Sequence, residues 1–165
     1  MADPLAETPG TLSGVARVLV NAGKLDPRLA EELTRTAREQ RRSFVATLMN
    51  TGKIKSDDLA HTLSVALSVP LMDLSAVDLQ RLPQGVIDNK LSSQCQVLVL
   101  SKRGSRLFVA GADPTDQEAM ERIKFATQLT PEWVIVEYDK LAKILEGNTA
   151  SAADQLSALT SEEFE

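Results

Sequence analysis

Between Leu12 and Ser68 the apolar residues recur three and four positions apart, the period of helices that each lay a stripe on a core. The spacing predicts four helices, over about 12–22, 27–40, 43–51 and 57–68. The second carries Leu29, Leu33, Thr36 and Ala37 on one side, and the fourth carries Leu59, Leu63, Ala66 and Leu67, so each has a single inward face. The first and third are broader. Leu12, Val15, Ala16 and Leu19 already make a stripe on the first, while Val18, Val20 and Ala22 spread apolar surface around its other side. The third holds Phe44, Val45, Leu48 and Met49 within barely two turns. A helix apolar over more than half its circumference either sits centrally in a core or keeps a surface for another molecule, and both readings stand at this point.

The helical stretch is a tandem repeat. Leu19-Val-Asn-Ala-Gly-Lys-Leu25 matches Leu48-Met-Asn-Thr-Gly-Lys-Ile54 at an offset of 29 residues. Each copy reads as a helix end, with Gly23 or Gly52 at the left-handed position and Lys24 or Lys53 near the negative end of the dipole. Each is followed by a helix start: Asp26 as cap with Pro27 in the first turn, and Ser56 as cap before Asp57 and Asp58.

After Leu74 the period shortens. Leu82-Pro83 opens a short helix to about Ser92, and Gln96–Leu100 and Arg106–Ala110 are β-rich runs around a turn centred on Gly104, which is a hairpin. Thr115 with Glu118 suggests a capping box for a helix to about Gln128. A third strand over Trp133–Glu137 and a last helix capped by Asp139 and ending near Glu146 complete the pattern. The fold class is therefore α+β: an all-α subdomain of about four helices, then a small three-stranded sheet with helices covering one face. The expected divisions are a flexible N-terminus at 1–10, a helical regulatory subdomain at 11–74, a linker at 75–81, an α+β subdomain at 82–146 and an acidic linker at 147–165.

Charge sharpens those divisions. The chain of 165 residues carries 18 basic and 23 acidic side chains, a net of −5. Residues 147–165 hold four of the acids and no base, with little periodic apolar content, so this stretch reads as a linker leading onward. The one dense basic cluster, Arg35, Arg38, Arg41 and Arg42, has the spacing of a solvated helix edge, and no nucleic-acid partner is expected. No apolar run reaches the roughly 20 residues of a membrane span, and MADPLAETPG lacks the basic start and apolar core of a signal peptide. A soluble cytoplasmic protein without membrane insertion is the expectation.

Chemistry is sparse. A single cysteine, Cys95, and a single histidine, His61, leave no internal disulfide and no Cys/His metal cluster. Gly23-Lys24 and Gly52-Lys53 lack the leading glycine and trailing hydroxyl of a phosphate loop, and both follow helices. Glu31-Glu32 and Asp57-Asp58 are sequence neighbours that point to different sides of a helix and form no acid/base pair. No catalytic residue, metal or cofactor is assigned, and the chain does not read as an enzyme.

Taken together, the helical repeat ending in Asn-x-Gly-Lys, Ser68-Val-Pro-Leu-Met-Asp-Leu74, then Leu-Pro, a hairpin and Phe108-Val-Ala-Gly-Ala-Asp-Pro114 resemble a known constellation. It is similar to the N-terminal region of the type IV pilus assembly (extension) ATPases of the PilB type, in the type II secretion ATPase superfamily. The similarity runs over about residues 12–146. The resemblance implies a regulatory piece of a motor whose ATPase core lies downstream, at the inner-membrane pilus base.

Relatives such as the mannose-sensitive haemagglutinin pilus ATPase bind cyclic di-GMP through two tandem motifs that begin Arg-Leu-Gly and end in Gln. Here the opening triplets are Gly14-Val15-Ala16 and Ser43-Phe44-Val45, and the closing positions are Ala37 and Ala66. The arginine and glutamine donors have no replacement, so the resemblance implies a retained scaffold with direct nucleotide binding lost. A degenerate binding module is the alternative. The resemblance further implies a PilZ-family adaptor as partner, with Leu12, Val15, Val18, Leu19, Phe44 and Leu48 as the available docking anchors. The inner-membrane platform of the pilus machine is a further implied partner.

Overall fold

The computed structural model describes residue 12 and residues 14–147, so the expectations for 1–10 and for the acidic linker fall largely or wholly outside the described residues. The four helices form as the pattern predicts: α1 Gly14–Asn21, α2 Pro27–Gln40, α3 Phe44–Thr51 and α4 Ser56–Leu67. Asp26 caps α2 by accepting from the Arg28 N–H at 2.8 Å, and Ser43 caps α3 by accepting from the Ala46 N–H at 3.0 Å. Ser56 is not a cap. The helix already includes it, Lys55 holds the capping position with no side-chain bond, and Asp57 and Asp58 supply the negative charge at that end.

Two short 3-10 turns, Leu74–Ala76 and Leu79–Arg81, follow. The helix expected from Leu82 instead forms later, as α5 Asn89–Cys95, because Asp88 provides a cap for the Leu91 N–H while Pro83 leaves only an irregular approach. β1 Val97–Arg103 and β2 Arg106–Gly111 make the expected antiparallel hairpin. α6 runs Gln117–Thr127, capped by Asp116; the Thr115 hydroxyl donates to Asp113 instead of serving a capping box.

β3 covers Thr130–Ile135, about three residues earlier than the apolar run suggested, and lies parallel to β2. Pro131 fits there because the Thr130 N–H donates inward to the Ser105 carbonyl at 2.7 Å, which leaves the N–H side of residue 131 on the outer edge. A final helix, α7, occupies 138–147. Seven α-helices and a three-stranded mixed sheet thus make up the described residues.

Helices cover both faces of the sheet, which corrects the expectation of one. α6 sets Ala119 and Ile123 on Val97, Val99, Leu107 and Val109. On the other face, Leu141 and Leu145 of α7 cover Ala110, with Leu98 and Leu100 packed alongside. The reason is in the strands: consecutive residues of β1 and β2 are apolar, so neither face can be left in water.

The two stretches most specific to the resemblance are the two joints between the helical half and the sheet. In the first, the Ile135 N–H donates to the Pro70 carbonyl at 2.7 Å and the Met72 N–H donates to the Ile135 carbonyl at 2.9 Å, adding residues 70–72 beside the end of β3. Asp73 then accepts from the Ser75 N–H and hydroxyl and from Lys140 Nζ at 2.9 Å. The Ser75 hydroxyl and then Lys140 hold the Asp73 carboxyl down at about 2. In the second joint, Ala112 and Ile135 enter the core of α1–α4 beside Val15, Leu19, Leu48 and Leu63.

Candidate functional site

At the second joint a groove of about 600 Å³ opens between the halves. One wall is the N-terminus of α1, the end of α2 and the start of α3; the other is the turn from Asp113 to Gln117. Local chemistry fixes both walls. α2 stops at Arg41, which adopts a left-handed conformation at φ 53° and donates its N–H to the Ala37 and Arg38 carbonyls. A non-glycine residue there stores about 1 kcal/mol or more. This bend throws Arg38, Arg41 and Arg42 to one corner, and Ser43 begins α3 immediately afterwards.

The opposite wall is held by Asp113, whose carboxylate accepts from the Thr115 N–H at 2.9 Å and from its hydroxyl. Burial pushes the Asp113 carboxyl above its ordinary value, and the two Thr115 bonds work against that rise. Thr115 also fixes the distance between the walls. A Cβ on Gly14 would lie 2.6 Å from its Oγ1, and Gly14 sits at φ +60°, so only glycine lets α1 start this close.

A smaller cavity of about 60 Å³ continues from the groove past Ser43 and Asp113 to Cys95, Trp133 and Tyr138. Cys95 is buried, and desolvation raises its thiol above the ordinary range. Burial raises the Tyr138 hydroxyl too, and the positive charge of Arg42 opposes that rise.

The expected anchors separate into two groups. Leu12, Val15, Leu19 and Leu48 are at most 4% exposed, so they hold the scaffold, and of the four only Val15 reaches the groove wall. Val18 and Phe44 are partly buried against the same core and keep some surface, and Phe44 lines the groove. The motif positions converge as well: Gly14, Val15, Ala37, Ser43 and Phe44 all line the groove. Ala66 does not; it is exposed near the end of α4.

The arginines are what sequence reasoning undervalued. Arg41 and Arg42 lie in the turn after α2, not on a helix edge, and with Arg38 they line the groove without an ion pair among the described residues. The signal was present as four arginines in eight residues, but only the left-handed turn brings them opposite Asp113 and Asp116. No group of three or more His, Cys, Asp or Glu among the described residues is placed to hold a metal, and His61 is exposed on α4. No described helix is long and apolar enough to cross a membrane. The site can therefore receive an acidic or phosphate-bearing partner on its arginine corner, with Phe44 as an apolar contact.

Comparison with known proteins places this geometry. A family model, the MshEN domain, matches residues 67–155. The type IV pilus assembly ATPase PilB of Pseudomonas aeruginosa is 32% identical over 154 residues, covering 93% of this chain and 27% of that protein. PilB of Acinetobacter baylyi is 33% identical over 138 residues, covering 84% of this chain and 24% of that one. The chain thus spans about a quarter of the length of these relatives. Among solved structures, the N-terminal domain of XpsE superposes with a TM-score of 0.63 at 21% identity, covering 80% of this chain and 91% of that one. MshE solved with cyclic di-GMP gives a TM-score of 0.58 at 23% identity, covering 82% and 98%. These two share the fold.

Proposed function

This chain belongs to the MshEN domain family and is homologous to the N-terminal region of PilB-type pilus assembly ATPases, and from that premise we propose that it is the regulatory interaction module of a type IV pilus extension motor. In this reading it docks a PilZ-family adaptor and so couples cyclic di-GMP signalling to pilus assembly. The ATPase core lies downstream, and the motor works at the cytoplasmic side of the inner membrane against its platform protein.

One observation carries the reading. The positions that hold the ligand donors in cyclic di-GMP-binding relatives are Gly14, Ser43 and Ala37 here, yet the groove they line persists and is rimmed by three arginines with no ion pair among the described residues. A groove that has lost its small-molecule donors but keeps an apolar contact at Phe44 and a cationic rim suits an acidic protein surface. Phe44 and Val18 supply the apolar part of the contact.

A second reading, direct binding of cyclic di-GMP through Arg38, Arg41 and Arg42, is favoured by the groove's volume of about 600 Å³ and by the fold shared with MshE. Light scattering after size exclusion, with the PilZ-type adaptor of the same organism, separates the two. A complex of defined stoichiometry that is lost in Arg41→Glu/Arg42→Glu and weakened in Phe44→Ala supports docking. Two separate monomer peaks, together with saturable calorimetric binding of cyclic di-GMP by the chain alone, would replace it with the second reading.

A further inference from the structure

The end of the sheet farthest from the helical half carries another surface. β1 turns into β2 at Gly104, and β2 and β3 both run from this end toward the joints at Ala112 and Ile135. α6 finishes here too, since Thr127 leads directly to Thr130, whose N–H donates to Ser105 in the hairpin turn. Lys102 and Arg103 are exposed on the hairpin, and Lys124 is exposed in the last turn of α6. None of the three makes an ion pair among the described residues.

Arg106 lies 5.4 Å over the Phe108 ring and holds both oxygens of Glu132, at 2.7 and 2.6 Å, so that acid is already neutralised. Glu121, one turn before Phe125, is the remaining acid nearby among the described residues. On a chain of net charge −5 this end is positive. Phe125 stands beside Lys124 at 83% exposure, the highest of the exposed large apolar side chains among the described residues.

We propose that this end rests on the anionic surface of a lipid bilayer, with Lys102, Arg103 and Lys124 among the headgroup phosphates and Phe125 at headgroup depth. A protein interface needs several apolar anchors clustered at its centre. The other exposed large apolar residues among the described residues, Val65, Leu71, Met72 and Leu79, belong to segments outside the hairpin and α6. One strongly exposed aromatic next to Lys124 on the last turn of α6, with Lys102 and Arg103 on the hairpin at the same end of the sheet, is instead the composition of a peripheral bilayer contact. Each cation contributes about a fivefold increase in binding to an anionic surface, and the contact is screened within a Debye length of about 8 Å at physiological salt. The surface shares no residue with the arginine groove, so it stands or falls independently of adaptor docking.

The test is sedimentation of the 165-residue chain with vesicles of phosphatidylglycerol and phosphatidylcholine, and with phosphatidylcholine alone. Binding to the anionic vesicles only, abolished by high salt, is expected. Lys102→Glu/Arg103→Glu should lower it at least twentyfold, and Phe125→Ser several-fold, with unchanged melting because all three side chains are exposed. Arg41→Glu should leave it intact, which separates the hairpin end from the groove. Absence of binding to anionic vesicles overturns the proposal. So does binding that both variants leave unchanged, or a hairpin variant that loses an acidic protein partner while vesicle binding persists.

Discussion

Gly111→Ala tests whether the second joint is set by close packing. Gly111 on β2 and Trp133 on β3 lie on the same sheet face, Trp133 standing opposite Val109, so the indole leans along the strands over the glycine. A Cβ at Gly111 would lie 2.3 Å from Cζ3 and 2.9 Å from Cε3 of that ring. Neither the ring nor the strand can absorb this without moving. The backbone at Gly111 is not left-handed, so the cost is steric, of the overpacking kind, about 1–3 kcal/mol. The indole N–H is buried without a hydrogen-bond partner among the described residues, so packing holds the ring, and the adjoining cavity of about 60 Å³ gives it somewhere to shift. This favours the lower part of that range, or roughly 2–4 °C of melting temperature in a chain of this size.

Trp133 is the only tryptophan, so its emission should move with the ring, and thermal and urea unfolding give the energy. Gly104→Ala is the control, because Gly104 has φ +60° and a Cβ there would meet no atom within 4 Å. It should cost about 1–2 kcal/mol through backbone conformation and leave the emission unchanged. Trimming the ring should rescue the clash: Gly111→Ala with Trp133→Leu is expected to be less destabilised than the sum of the single variants by about 1 kcal/mol. Strict additivity with an unmoved emission maximum would refute the reasoning.

Arg41→Gly should raise stability by about 1 kcal/mol, because it relieves a left-handed non-glycine residue, while weakening adaptor binding; an unchanged affinity removes Arg41 from the docking surface. Leu48→Ala, at a fully buried position, should cost about 2–5 kcal/mol in urea unfolding, whereas Arg38→Ala on the rim should cost less than about 0.5. Asp73, lowered from 3.8 to about 2 in the folded protein, contributes stability that is present above the unfolded value and lost as pH falls between the two. Asp73→Asn should therefore flatten the acid limb of the stability profile between about pH 4 and 2, as read by melting in a pH series. Cys95 is buried with its thiol raised above the ordinary range, so a thiol reagent at neutral pH should react only at the rate of opening, and in proportion to urea-induced unfolding.

The helical repeat, the hairpin and the α+β class are written in the order of residues alone. Those features rest on local signals: the 29-residue echo, Gly23 and Gly52 at φ +71° and +68°, the Asp26-Pro27 start, and β-rich runs around Gly104. The surroundings of the site were legible there too, since the motif positions at Gly14, Ala37, Ser43 and Phe44 meet in one groove. The arginine corner was legible only as composition. Arg41 turns left-handed against its own preference because the packing of α2 on α3 requires the chain to reverse there, and no local pattern announces that.

Burial likewise belonged to the assembled fold. Leu12, Val15, Leu19 and Leu48 and the partly buried Val18 and Phe44 share one apolar pattern, and their division into core and surface is set in the assembled cluster, to which the sheet adds Ala112 and Ile135. The parallel β3 and the second covered face follow from the same cause. Contacts between residues far apart in the chain form only once both halves are in place, and a period read along the chain carries the direction of a side chain but not the partner that meets it.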